Sequence, residues 1–449
     1  MNFVPRPLRI AVIGSGVTGL SAAWLLATRH RVTLYEAGPR LGGHSNTVMV
    51  DAPEGRVPVD TGFIVYNEAT YPNLVAMLDF LGVDTKESDM SFAVSMDGGA
   101  TEYCGSGLGG LFAQKRNLAS PRFWRMFADL VRFYRNAKSD PRDLSSLTLD
   151  QYLDEGRYSH AFRDLHLYPM AAAIWSTPAG KIGEYPAEAF IRFCRNHRLL
   201  ELGERPRWRT VQGGSIEYVR KLEALIGDDI RLATPVSEVR RTPAGVEVRD
   251  GAGGTDLFDH VVFASHADQS LAMLADADAQ ERDVLGAFHY SKNHAVLHTD
   301  ERLMPKRRNV WSSWNYMATG RGAARRPPSV TYWMNPLQKL PTRQNVFVSL
   351  NSPQTPREDC VIREFMYEHP IFDSAALAAQ PRVWSLQGRR NTWFCGAWMG
   401  AGFHEDGLQS GLAVAEALGG VRRPWQVADE SGRVFVGPPP DLAGAELTP

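Results

Sequence analysis

The sequence predicts an α/β protein of two domains, one of them a Rossmann-type dinucleotide-binding unit. Three observations predict it. The chain has 449 residues, too many for one ordinary core. An apolar run breaks into Gly14-x-Gly16-x-x-Gly19 and a small-residue helix, and a second apolar run ends in an acid, Glu36.

The first of these elements, "LRIAVIGSGVTGLSAAWLLA", reads as a buried strand, a glycine turn and a close-packed helix. Gly14 permits the tight turn, Gly16 lets the backbone approach a pyrophosphate, and Gly19 and Ala22 let the helix sit close to the sheet. Ser15, Val17 and Thr18 complete the turn, with phosphate expected at the helix N-terminus. The next strand, "RVTLYEAG", presents Glu36 22 positions after Gly14, where a βαβ unit offers a carboxylate to a ribose 2′-hydroxyl and repels a 2′-phosphate. A second match, Gly105-x-Gly107-x-x-Gly110, follows no buried strand and is read as a loop.

Composition narrows the class. Hydrophobic residues at 44% and charged residues at 22% are those of a globular protein. A net charge of −1 gives no global attraction to nucleic acid or anionic lipid, so any such contact needs a local patch. The four cysteines are scattered without CxxC spacing, which argues against a zinc ribbon and for a reducing compartment. No apolar run approaches the roughly 20 residues of a membrane span. The N-terminus "MNFVPRPLRIAVIG" has no signal-peptide core. The expectation is a cytoplasmic protein, with membrane contact confined to its surface and no nucleic-acid partner; oligomeric state is left open.

After Glu36 the chain continues "EAGPRLGGHSNTV" and then "VPVDTGFIVYN". Glu36-Ala37-x-x-Arg40-x-Gly42-Gly43-His44, with Gly62 and Phe63 in the later segment, resembles the extended fingerprint of the amine oxidase, phytoene desaturase and protoporphyrinogen oxidase superfamily. The resemblance implies noncovalent FAD, since the Ser-Gly-Gly-Cys motif of covalent attachment does not occur. His44 stands where the superfamily carries Arg or Lys, so a fixed charge is replaced by an imidazole. Further blocks match in order: "TVQGGSIEYVRKLEALI", a strand region whose Val236 is expected to meet the adenine, and "WFCGAWMGAGFHEDGLQSG". In the last, Gly396, Phe403, His404 and Glu405 are expected around the flavin, although Ala397 and Trp398 stand where an acid is usual.

The implied FAD domain is discontinuous, formed by 1–68, 206–285 and 380–425. An α+β substrate domain is inserted as 69–205 and 286–379, and 426–449 form a C-terminal tail. Phe403 matches a position that is often Tyr in amine oxidases. The change leaves an apolar wall and favours a hydrocarbon over an amine substrate. The resemblance is closest to bacterial amine-oxidase-like flavoproteins that desaturate methyl-branched fatty acyl chains towards furan fatty acids; flavin amine oxidation is the alternative.

The proton acceptor is expected in "FHYSKNHAVLHTD". Lys292, Asn293 and His294 are the candidates there, His294 preferred, with His266 a weaker one. No metal is expected at His404-Glu405-Asp406, where the would-be ligands are adjacent and no partner motif exists.

Ser120-Pro121 signals a helix start. From Arg122 to Lys138 the segment carries five basic residues and one acidic residue. Phe123, Phe127, Leu130 and Tyr134 fall on one face and Arg122, Arg125, Asp129 and Arg132 on the other. Such a helix suits a lipid surface or is core-packed with solvated arginines. "YPMAAAIWSTP" and two aromatic stretches further on suit an apolar cavity.

Overall fold

A computed structural model describes residues 6–438 apart from 106, 145, 176–178, 197–198, 201–205 and 319–327. Its first sheet is parallel and five-stranded. The order in space is Ile230–Arg231, Arg31–Tyr35, Arg9–Ile13, His260–Phe263 and Thr392–Phe394. Three blocks far apart in the chain thus build one sheet. Arg9–Ile13 and Arg31–Tyr35 are each buried at four of five positions, as expected of parallel strands covered on both faces.

The helix Val17–Ala27 is apolar almost all round because it is enclosed all round. One neighbour is the closing helix His404–Gly419. An added Cβ at Gly407 or Gly411 would lie 2.7 Å from Thr18 Oγ1 or 2.4 Å from the Thr18 carbonyl oxygen. Small residues therefore set the distance between these two helices.

A second, seven-stranded sheet runs in the order Val361–Ile371, His289–His298, Phe347–Leu350, Ser329–Trp333, Trp314–Ala318, Phe92–Met96 and Thr101–Cys104. Its pairings are antiparallel except for Trp314–Ala318 with Phe92–Met96. These strands come from the two expected insertions.

Two elements cross the expected boundaries. Val48, Val50, Val57 and Val59 of the hairpin Thr47–Ala52/Gly55–Asp60 pack in the second core, while Leu74, Met77 and Leu78 of the helix Pro72–Phe80 pack in the first. Residues 426–438 are also docked: Val434 joins the first core and Arg433 Nε lies 2.7 Å from Asp406 Oδ1.

The helix Pro121–Lys138 starts as expected, with Ser120 Oγ accepting from the Phe123 N–H at 3.3 Å. Its buried arc is rotated from the expected one, running through Phe123, Met126, Phe133, Tyr134 and Ala137. Asp129 is buried too, held by the Ser159 N–H at 2.8 Å and by Arg132 at 2.8 Å. The segment expected as a loop contains a short helix, Gly107–Leu111. Tyr168–Trp175 is helical, and the rest of that stretch, 176–178, lies outside the described residues.

Candidate functional site

The glycine turn has the shape of a phosphate cradle. Gly14 sits at φ +103°, and a Cβ there would come within 2.8 Å of the Ala264 carbonyl oxygen. Gly16 is the opposite case: an added Cβ meets nothing within 4 Å, so the space over it is open. Gly16 also caps the helix Val17–Ala27 without any side-chain cap bond, leaving its first N–H groups for an anion. The Gly42 N–H donates to the Ser15 carbonyl at 2.9 Å and ties the second glycine loop to the first.

Glu36 is oriented by the Ser15 N–H at 3.0 Å and the Gly38 N–H at 2.7 Å. The Thr234 N–H bonds the Glu36 carbonyl and the Ala233 N–H bonds that of Gly38. These bonds bring the start of the strand Val236–Thr242, with Val236, beside the acid, where an adenosine is expected. Arg40 clamps the glycine loop through the carbonyls of Leu41, Gly43 and Ser45 at 3.1, 2.7 and 3.3 Å. Ala37 carries the chain from Glu36 into this loop.

At the other end, the Phe63 N–H donates to the His44 carbonyl at 2.7 Å, and a Cβ on Gly62 would stand 2.3 Å from that oxygen. The Phe63 ring lies flat on the His404 imidazole, 3.7 Å between centres and 6° apart. His404 Nε2 is 2.7 Å from the Tyr218 hydroxyl and 3.1 Å from Ser45 Oγ. Burial pushes its pKa down to about 3, so the ring is neutral. The His44 ring stacks on Tyr367 at 5.0 Å and lies 5.4 Å from His369. Among the described residues its buried Nε2 has no hydrogen-bond partner.

The Gly396 N–H donates to Ser410 Oγ at 3.0 Å. Trp398, near the position where an acid was expected, donates from Nε1 to the Ser265 carbonyl at 3.1 Å. The Phe403 ring stacks on Phe193 at 5.1 Å. Phe193 in turn lines a cavity of about 260 Å³ with Phe372, Leu377, Ala401, Val434 and Phe435.

The side chains of His404, Glu405 and Asp406 diverge, towards Tyr218, Asn73 and Arg433. Several expectations are corrected. Glu405 turns away from the cleft, accepting from Asn73 N–H at 3.0 Å, Asn73 Nδ2 at 2.9 Å and Leu74 N–H at 2.9 Å. It caps the helix Pro72–Phe80 rather than touching a cofactor. Lys292 and His294 face outwards from their strand: Lys292 is exposed, and His294 Nε2 pairs at 2.8 Å with Glu364 in a half-exposed contact.

Asn293 is the inward one of the three consecutive candidates. It is 1% exposed and stands opposite Tyr367 across the antiparallel pair. His266 is half-buried, stacked on Tyr290 at 4.1 Å with Nδ1 3.4 Å from Glu368. Tyr367, His369 and Phe193 were not foreseen. For the first two a signal existed: "REFMYEH" alternates Phe365, Tyr367 and His369 with Glu364, Met366 and Glu368, a period of two with rings on one face.

A family profile described as flavin containing amine oxidoreductase matches residues 17–312. The chain belongs to that family. Its cofactor is FAD, and the residues here fit one: open space over Gly16, an uncapped helix N-terminus, a positioned ribose carboxylate and an orphaned imidazole nitrogen.

Among curated relatives, an L-amino acid dehydrogenase of Synechocystis sp. is 25% identical over 259 residues, covering 54% of this chain and 52% of that protein. A protoporphyrinogen oxidase 2 of Arabidopsis thaliana is 39% identical over 80 residues, 18% of this chain and 15% of that one. The chain thus spans about half the length, 52%, of the first of these relatives and less of the second. The fold matches more fully. A CLA-producing fatty acid isomerase from P. acnes superposes with a TM-score of 0.64 at 16% identity, over 91% of this chain and 98% of that one. Putrescine oxidase gives 0.63 at 15%, over 91% and 98%.

Proposed function

We propose that this flavin oxidoreductase desaturates a methyl-branched unsaturated fatty acyl chain: an allylic C–H gives its hydride to the flavin, a neighbouring carbon gives a proton to a base, and a conjugated diene results. The observation that carries the proposal is the apolar wall of Phe403 stacked on Phe193, continued in the cavity by Phe372, Leu377 and Phe435, with Arg192, Gln380 and Arg433 as its polar border. A hydrocarbon is stabilised by such surroundings, whereas an ammonium needs an anion or an aromatic cage. Asp406, the acid that borders the cavity, is already paired with Arg433. A fatty acid isomerase stands among the proteins of similar fold, which supports an acyl substrate by analogy of fold alone.

FAD, held without a covalent bond, supplies the hydride-accepting centre. The residues of the chain position and exclude. Phe403 and Phe193 form the apolar wall, and the Phe63–His404 pair and the Tyr218 hydroxyl fix the entrance to the closing helix. Asn293 and Tyr367 present polar groups from the second sheet. Tyr367 is fixed by Asn46 at 2.8 Å and Thr61 at 2.7 Å.

The substrate is drawn from a lipid surface by a patch beside the helix Pro121–Lys138. Leu118 and Trp124 are 52% and 46% exposed, and the exposed Lys115, Arg116, Arg122 and Arg125 flank them in the chain. Cations beside exposed apolar side chains favour an anionic membrane interface. Among the described residues no helix is long and apolar enough to cross a membrane.

Mass spectrometry of lipids from cells with and without the protein tests the proposal. It predicts one lipid class lighter by two hydrogens only when the protein is present; unchanged acyl lipids contradict it. The second reading, amine oxidation to an imine, is favoured by the L-amino acid dehydrogenase among the curated relatives.

A further inference from the structure

The buried His44 Nε2 has no hydrogen-bond partner among the described residues, and His266 Nδ1 has only the Glu368 carboxylate, 3.4 Å away. Both belong to the walls of the glycine cradle. His44 follows Gly43, whose Cβ position lies 3.1 Å from the Gly16 Cα; His266 ends the turn whose Ala264 oxygen would touch a Cβ on Gly14 at 2.8 Å. His369 reaches the same place from the second sheet, its ring 5.4 Å from that of His44. A dinucleotide's diphosphate is held at this kind of glycine turn and helix N-terminus.

We infer that His44, His266 and His369 form a titrating clamp for the diphosphate of bound FAD, supplying imidazolium charge in place of a fixed cation. The surrounding groups fit that role. Arg40 stands at the edge with its guanidinium engaged by loop carbonyls. Glu36 acts on Arg40 rather than on the imidazoles. Glu368 and Asp268 act on His266, while Tyr290 and Tyr367 stack on His266 and His44 as neutral phenols. His404, the fourth imidazole nearby, is engaged with Tyr218 and Ser45.

Without an anion the surroundings oppose the charged form of each ring. Burial and the neighbouring imidazoles hold His44 well below the usual histidine range, burial lowers His266, and burial with His266 brings His369 down to about 4. A diphosphate between the rings reverses the balance by favouring their protonated forms. Binding therefore takes up protons and weakens as pH rises, by up to about tenfold per pH unit for each proton taken up. The inference rests on FAD, not on the acyl substrate, and stands or falls separately from it.

The test follows FAD release from the holoenzyme by flavin fluorescence across pH 5.5 to 8.5. Calorimetric rebinding of FAD, ADP and riboflavin in buffers of different ionisation enthalpy accompanies it. Faster release at high pH, with proton uptake for FAD and ADP but not riboflavin, is expected. His44→Gln, His266→Gln and His369→Gln should each reduce the uptake and flatten the pH profile, while His294→Gln, on the outward face of its strand, should leave both in place. Release independent of pH, or a profile unchanged in all three clamp variants, overturns the inference.

Discussion

The carboxylate of Glu405 caps a helix that begins 333 positions earlier, at Pro72. It accepts three hydrogen bonds from Asn73 and Leu74 at 2.9–3.0 Å and lies fully buried. The contact joins the closing helix to the helix Pro72–Phe80. Burial alone raises the pKa of this carboxyl, and the four hydrogen bonds from Asn73, Leu74 and Gln409 oppose that rise. Replacing Glu405 with Ala strands these donors, so Glu405→Ala should cost about 2–3 kcal/mol of stability. Urea unfolding checks this, and the flavin absorbance of the folded fraction should be retained.

Gly16 separates cofactor binding from folding. Nothing stands within 4 Å of an added Cβ, so Gly16→Val should leave the apoprotein's circular dichroism and melting temperature nearly unchanged. The side chain would fill the space over the phosphate turn. Flavin absorbance near 450 nm should therefore be lost from the purified protein, at least tenfold by flavin-to-protein ratio.

On the strand His289–His298 parity decides the effect of substitution. His294→Ala and Lys292→Ala remove outward groups and should change turnover by less than about twofold and stability by about 0.5 kcal/mol or less. Asn293→Ala removes a buried amide bonded to Ser291 and Asn351 at 3.0 and 2.8 Å. It should cost about 1–3 kcal/mol and lower turnover, measured side by side in one assay.

The contrast shows what was legible in the sequence. The parallel sheet could be read because Gly14, Gly16, Gly19 and Glu36 work within one local βαβ unit, where spacing alone fixes geometry. His294 was preferred over Asn293 because nothing in "SKNHAVL" sets the register; the pairing of Asn293 with Tyr367 does. Glu405 was misread for a related reason. Its partners lie 331 and 332 positions away, and a carboxylate at a helix start looks the same whether it faces a ligand or another helix. The alternation that exposes Tyr367 and His369 was present in the sequence, yet it becomes meaningful only once the strand is known to face the cofactor cleft.

The basic aromatic patch gives a binding prediction. Trp124→Asp with Leu118→Asp removes the two exposed apolar side chains from beside the cations. The pair should abolish co-flotation with vesicles containing anionic phospholipid while flavin content stays constant. Wild-type protein should float with those vesicles, less so at high salt, and not with purely zwitterionic ones.

The central claim is tested most directly by anaerobic flavin bleaching. Purified holoprotein is mixed in turn with methyl-branched unsaturated acyl lipids and with a panel of primary amines and L-amino acids, and the absorbance near 450 nm is followed. The account predicts stoichiometric bleaching by the acyl lipid, with a product lighter by two hydrogens, and no bleaching by the amines. Bleaching by an amine or amino acid, with none by any acyl lipid, would contradict it.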